Sequence, residues 1–305
     1  MKIVFLDSYA ANPGDLSWEP LSAFGEFIPY ARTPFENTIE WIGNAEAVFV
    51  NDHVLTREAI ESCPDIKFIG AAATGYNNID LAAAKEKNIA VANIPGYSSD
   101  AVAQHVFAHI LDITNEVAAH ARAVNDGLWY KEEDCSVTIR PLTLLSGKSI
   151  GIIGYGNIGK RVAEIAQAFG MSVNIYSQDK EAAIKSDFLS LNCPLTKENR
   201  GLVNAEFIKK MKDGAVIINT ARGALINEND LANALISGKI RAAGIDVLSA
   251  EPPREKSPLI GLANCRVTPH NAWMPKETRQ KVIDICAANL KSFLDGGTLN
   301  RVDLL

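Results

Sequence analysis

The sequence predicts an α/β protein with doubly wound parallel sheets, arranged as two domains. Three observations carry that expectation. Short apolar, β-branched runs alternate with longer segments of helical period from one end of the chain to the other. The runs of the first series read as buried strands, and their alternation with helices implies a parallel sheet with helices on its faces. The 305 residues, 47% of them hydrophobic and 22% charged, suffice for two ordinary domains with full cores.

The strands of a first series are Lys2–Leu6, Ala47–Val50, Phe68–Ala71 and Ala90–Ala92. Between them, Phe35–Gly43, Thr56–Cys63 and Asp80–Lys87 carry apolar residues at helical spacing. Ser98 or Ser99 can cap a long helix running to about Arg122, and a charged, aromatic loop from Gly127 to Arg140 follows. A second series starts at Ser149–Ile153. It continues through strands Ser172–Tyr176, Phe188–Asn192, Ala215–Asn219, Ala242–Val247 and Arg266–Thr268. The tail, Pro275 to Leu294, is helical and stops at Gly296–Gly297. The change of series places a domain boundary near residue 99.

Composition excludes several classes of function. Thirty basic against 36 acidic residues leave a net charge of −6 with no basic run, so neither nucleic acid nor an anionic membrane is expected as partner. No apolar run is long enough to cross a bilayer. The N-terminus meets Asp7 too soon for a signal peptide, so a cytoplasmic protein is expected. Five scattered cysteines without a CxxC pair read as reduced thiols, and five histidines without HExxH make a metal site unexpected.

Chemistry enters with Gly151-Ile-Ile-Gly154-Tyr155-Gly156-Asn157-Ile158-Gly159, which holds GxGxxG between a strand and an amphipathic helix. That context is the dinucleotide fingerprint. Gly154 permits the tight turn, Gly156 lets the backbone approach a pyrophosphate, and Gly159 lets the helix pack on the strand. Three further residues follow later strands: Arg222 after AVIINT, Glu251 after AAGIDVLSA, and His270 after CRVTP. In a doubly wound sheet the carboxyl ends of the strands converge on one rim, so these side chains arrive beside the fingerprint loop. The set suits hydride transfer on a 2-oxo or 2-hydroxy acid. Arg222 can clamp the carboxylate, His270 can exchange the proton on oxygen, and Glu251 can orient the imidazole and favour its charged form. Singly, each has a bland reading as a surface ion pair or a satisfied imidazole.

With IGIIGYGNIGK, INTARGALI, GIDVLSAEPP, TPHNAW and the ending NLKSFLDGGTLNRVD in view, the chain resembles the D-2-hydroxyacid dehydrogenase family along nearly its whole length. AVAQH and HNAW look most like the glycerate dehydrogenases, or hydroxypyruvate reductases, of that family. The resemblance implies that Arg222, Glu251 and His270 are catalytic. It implies a cofactor, NAD(H) with NADP(H) alongside it, held by Gly154 to Gly159, Ser177, Thr220, Ala221, Asp246 and His270. Asp246 would meet the nicotinamide amide, and the backbone at Thr74 and Gly75 would join Arg222 and His270 in binding substrate. A Rossmann-type domain, residues 99–275, would be inserted into a smaller flavodoxin-like substrate domain, residues 1–98 and 276–305. Two copies would pair through the long helix that carries Gln104 and His105.

Two departures from the family pattern stand out. An acidic residue usually follows the second nucleotide-domain strand, where this chain has Ser177; Asp179 lies near enough to substitute. Only Ser177 to Asp187 separates that strand from the next, too little for the usual helix, edge strand and helix, so a trimmed sheet with an open adenine pocket is expected. Among other residues, Cys193 reads as a small buried thiol rather than a nucleophile, His105 as an interface residue, and His109 and His120 as surface. His53 and Trp273 are candidates for lining the substrate site. The reading from another class is a nucleotide-sensing corepressor or scaffold on the same fold. Formate oxidation is disfavoured, because the family's formate enzymes pair this His with Gln rather than Glu251.

Overall fold

The computed structural model describes residues 1–305 apart from the side chain of Lys131. The chain forms two compact units, one of Met1–Tyr97 with Trp273–Leu305 and one of Ser98–Ala272. In the first, β1 (Lys2–Phe5), β2 (Glu26–Pro29), β3 (Ala47–Val50), β4 (Phe68–Ala71) and β5 (Ala90–Ala92) form an all-parallel sheet ordered β2-β1-β3-β4-β5. β2 is absent from the sequence reading. Its EFIP ends on a proline, which has no N–H for a ladder and is tolerated because this strand pairs only with β1. The C-terminal helix Lys276–Leu294 buries Val282, Cys286 and Leu290 against Ile3, Phe5, Phe49 and Phe68. Arg279 ties the same helix to Asp15 through two parallel bonds of 2.7 and 2.8 Å.

The second unit carries β6 (Ser149–Ile153), β7 (Ser172–Ile175), β8 (Phe188–Leu191), β9 (Ala215–Asn219), β10 (Ile240–Ile245) and β11 (Cys265–Val267). They are parallel and ordered β11-β10-β9-β8-β6-β7. The chain enters at β6, steps outward to β7, then crosses back to β8 and proceeds the other way. The strand order therefore reverses at β6, directly before the glycine-rich loop. One face is covered by helices Ser99–Asn115 and Asn157–Ala168, which bury Val106, Ile110, Val162 and Ala166 on Ile150, Ile152, Val216 and Ile218. On the other face Phe207, Ile208, Leu231 and Leu235 pack on Leu189, Leu191, Ile217 and Ile245. After β7 only the five-residue helix Lys180–Ile184 precedes β8, so the sheet ends at β7.

Two expectations are corrected here. The helix expected to reach Arg122 ends at Asn115; Glu116 adopts a left-handed φ of 46°, and a second helix, Val117–Asn125, begins. The break lets the Glu116 carboxylate turn to Arg140 at 3.2 Å and Arg266 at 3.7 Å. His109 is not on the surface: it is 5% exposed and faces β10. No helix among the described residues is long and apolar enough to cross a membrane, and none of their His, Cys, Asp and Glu residues cluster as metal ligands would.

Candidate active site

The fingerprint glycines answer to three different constraints. Gly154 has φ of 94°, and a Cβ there would stand 2.6 Å from the backbone of Asn192 and Cys193. A Cβ on Gly159 would lie 2.1 Å from the Gly154 carbonyl oxygen, so this residue sets how closely the helix packs on its strand. At Gly156 nothing lies within 4 Å. Packing does not require glycine there, and the space beside it is what a pyrophosphate needs at a helix N-terminus. Ile158 packs into the core, so its neighbours Tyr155, Gly156 and Asn157 form the exposed lip. These residues fit a dinucleotide. The buried Thr220 hydroxyl, which has no partner in the protein, adds an unsatisfied group on the same rim.

Arg222 is carried by the turn after β9. The buried Asn219 shapes that turn by accepting from the Ala221 amide at 3.0 Å and donating to the Arg222 carbonyl at 2.9 Å. The exposed guanidinium donates to the Ala221 carbonyl at 2.7 Å. At Gly223 a side chain is impossible, because a Cβ would lie 2.0 Å from the Leu248 carbonyl carbon. That close approach brings the Arg222 turn against the loop that carries Glu251.

Glu251 accepts from the Leu248 amide at 2.7 Å through Oε1 and meets His270 Nδ1 at 2.7 Å through Oε2. Burial alone would raise this carboxyl. The His270 hydrogen bond and charge, the Leu248 N–H and the Arg222 charge outweigh burial and hold it below the usual glutamate value. The structure thus places Arg222, Glu251 and His270 in loops following neighbouring strands β9, β10 and β11, with a cation beside an imidazole–carboxylate pair.

His270 itself has a left-handed φ of 51°, and its amide donates to the Asp246 carbonyl at 2.8 Å. The Asp246 carboxylate is fully buried and accepts from the Asn271 and Ala272 amides, both at 3.0 Å, and from Thr268 Oγ1 at 2.6 Å. Asp246 therefore holds the His270 loop from both its backbone and its side chain. The sequence reading missed Thr268 and the side chain of Asn271, whose Oδ1 is buried without a partner.

The remaining candidates are distributed as follows. Ser177 is exposed in the turn two residues beyond β7. Asp179, offered as a substitute acid, caps the next helix by accepting from the Ala182 amide at 3.0 Å. Lys180 lies over the Tyr176 ring at 5.6 Å. Thr74 and Gly75 belong to the other unit, where the Thr74 hydroxyl donates to Ile94 at 2.9 Å. In that unit His53 bonds Thr38 at 2.8 Å, and Trp273 packs edge-on to Tyr97. Burial pushes the Cys193 thiol up, which argues against a thiolate nucleophile.

Residues 107–272 match the family described as D-isomer specific 2-hydroxyacid dehydrogenase, NAD binding domain. The chain is 46% identical over 321 residues to a hydroxypyruvate reductase of Blautia hydrogenotrophica, covering 99% of this chain and 100% of that protein. It is similar to the structure of an acyclic imino acid reductase in complex with NADPH and D-Arg, with 30% identity, a TM-score of 0.85, and 99% and 100% of the two chains covered. It is also similar to a D-lactate dehydrogenase from Aquifex aeolicus complexed with NAD and lactic acid, with 27% identity, a TM-score of 0.81 and 99% of each chain covered.

Proposed function

The chain belongs to the D-isomer-specific 2-hydroxyacid dehydrogenase family, oxidoreductases with a nicotinamide cofactor, and from that premise we propose that it reduces hydroxypyruvate, and glyoxylate beside it, with Arg222, Glu251 and His270 as its catalytic residues. The observation that carries the assignment is the 2.7 Å contact between His270 Nδ1 and a carboxylate that stays ionised beside Arg222. The Blautia relative's name supports the substrate class. When bound, the nicotinamide supplies the hydride. Arg222 takes the substrate carboxylate in its planar fork and draws electron density from the neighbouring carbonyl. His270 gives the carbonyl oxygen a proton from Nε2. Glu251 stabilises the imidazolium before that transfer and keeps the ring aimed. A non-catalytic scaffold is not favoured, since the relatives are named as enzymes.

Glu251→Gln tests the pairing through pH. Reduction needs the protonated ring, and the carboxylate favours that form; with a neutral amide in its place the proton leaves at lower pH. The alkaline limb of the kcat/KM profile for reduction must therefore move toward lower pH. A profile that stays in place, or moves upward, refutes the pairing.

For the cofactor we infer dual use with a lean to NADH of no more than about tenfold, or about 1.4 kcal/mol. Ser177 puts no charge against a 2′-phosphate, Asp179 is engaged as a helix cap, and Lys180 offers a cation nearby. Similar structures hold NADPH in one case and NAD in the other. Assays with both cofactors across a panel of 2-oxo acids test substrate and cofactor together, and absence of turnover on every acid returns the scaffold reading. Ser177→Asp should sharpen the preference for NADH by repelling the phosphate. A wild-type preference above about a hundredfold in either direction ends the dual-use idea.

A homodimer is the assembly we propose. Gln104, Phe107, Ala108 and Leu111 line an open groove on helix Ser99–Asn115, and Val117, Trp129, Tyr130 and Leu144 expose apolar surface beyond it. The mass in solution decides it.

A further inference from the structure

We propose that Thr268 is a positioning residue for His270, with its hydroxyl held between Asp246 on one side and His105 and His109 on the other. The proposal rests on His270 being the proton donor, as argued above.

A threonine hydroxyl has one proton and two lone pairs. Thr268 Oγ1 lies 2.6 Å from Asp246 Oδ1, 3.1 Å from His105 Nε2 and 3.2 Å from His109 Nε2. The Asp246 carboxylate already accepts two backbone N–H groups, so it serves as an acceptor and draws the hydroxyl proton. Both imidazoles must then donate from Nε2 to the two lone pairs. Their rings meet nearly at right angles, 88° with centroids 4.8 Å apart, which lets them approach one oxygen from two directions. His105 Nε2 also lies 3.5 Å from Asp246 Oδ1. Burial, first, and the neighbouring His105 hold His109 down to about 4, so it is neutral near pH 7 and has a single N–H to give.

The hydroxyl is thereby saturated, and a rigid path results. Helix Ser99–Asn115 fixes Thr268, and Thr268 adds the shortest hold on Asp246, at the Oδ1 that also takes the Asn271 amide. Asp246 in turn fixes the amides of Asn271 and Ala272, beside a His270 that sits at a positive φ. Gly244 makes the approach possible, because a Cβ there would lie 2.6 Å from His109 Cβ. Without the Thr268 hydroxyl, Asp246 Oδ1 loses its shortest contact and two imidazole N–H groups lose their acceptor, so the His270 loop loosens and the ring loses its aim.

The experiment compares Thr268→Val, which matches the shape, with Thr268→Ser, which restores the hydroxyl. Both are assayed for kcat on hydroxypyruvate at a temperature where circular dichroism shows the fold intact. Valine should lower kcat about tenfold, since misplacement by a fraction of an ångström is felt in near-attack geometry, and serine should return it to within about twofold of wild type. In the wild type, histidine-selective ¹⁵N NMR near pH 7 should show His105 and His109 with their protons on Nε2. That measurement stands even if the valine variant does not fold. A valine variant as fast as wild type, a serine variant no better than valine, or a proton on Nδ1 alone at either ring overturns the proposal. If His270→Ala retains activity, the assignment of the acid has failed. If that variant is inactive while Thr268→Val is unimpaired, only the positioning role has failed.

Discussion

His270→Ala is expected to slow hydroxypyruvate reduction by about 10²–10⁴-fold, the usual effect of losing a positioned acid. NADH affinity should stay near that of the wild type. The reason for the split is structural. The imidazole contributes Nδ1 to Glu251, whereas the fingerprint loop packs at Gly154 on the backbone of Asn192 and Cys193 and closes on itself between Gly159 and Gly154, contacts the substitution does not touch. Glu251 keeps its bond to the Leu248 amide, so the loop has a remaining anchor. Steady-state kcat together with a fluorescence titration of NADH measures both arms. Turnover near the wild-type rate would remove His270 from the mechanism. Loss of NADH binding would mean that the ring is part of the cofactor's seat rather than chiefly an acid.

Arg222→Lys should reduce kcat/KM by about ten- to a hundredfold, corresponding to about 1.5–3 kcal/mol for a charge-assisted contact made poorly. Charge is conserved in this exchange; geometry is not. The guanidinium can hold the Ala221 carbonyl through one nitrogen while offering its others to a carboxylate. An ammonium at the end of a flexible stem has no second planar edge, so it must choose between the two. KM and kcat should both suffer, because the carboxylate clamp and the polarised carbonyl belong to one interaction. Unchanged kinetics would place the carboxylate elsewhere.

The parts of this molecule that could be read from sequence are those in which residue type and spacing carry the constraint locally. GxGxxG between strand and helix is such a case, as are the positions of Arg222, Glu251 and His270, each following a parallel strand whose carboxyl end must face the common rim. What escaped depends on contacts between distant segments. The burial of His109 depends on the missing side chain of Gly244, which no periodicity of the helix reports. Glu116 looks like an ordinary helical residue until Arg140 and Arg266 draw its carboxylate inward. β2 carries no alternation because it is an edge strand ending in proline. Asp179 lay at a plausible distance from the fingerprint, but its side chain is claimed by the helix it begins.

The short passage from β7 to β8 has a further consequence, for how the molecule behaves among copies of itself. Ending the sheet at β7 leaves one side of that strand with backbone N–H and C=O groups that no neighbouring strand satisfies. Such an edge is a template for the strand of any chain that drifts alongside, and a sheet that ends on an uncovered strand needs other means of keeping strangers off. Here β7 is only four residues long and alternates the polar Ser172 and Asn174 with apolar neighbours. The Gln178-Asp179-Lys180 stretch then turns the chain away, with Lys180 and Glu181 exposed beside the rim. Brevity, polarity and charge make this edge a poor partner for strand-to-strand aggregation.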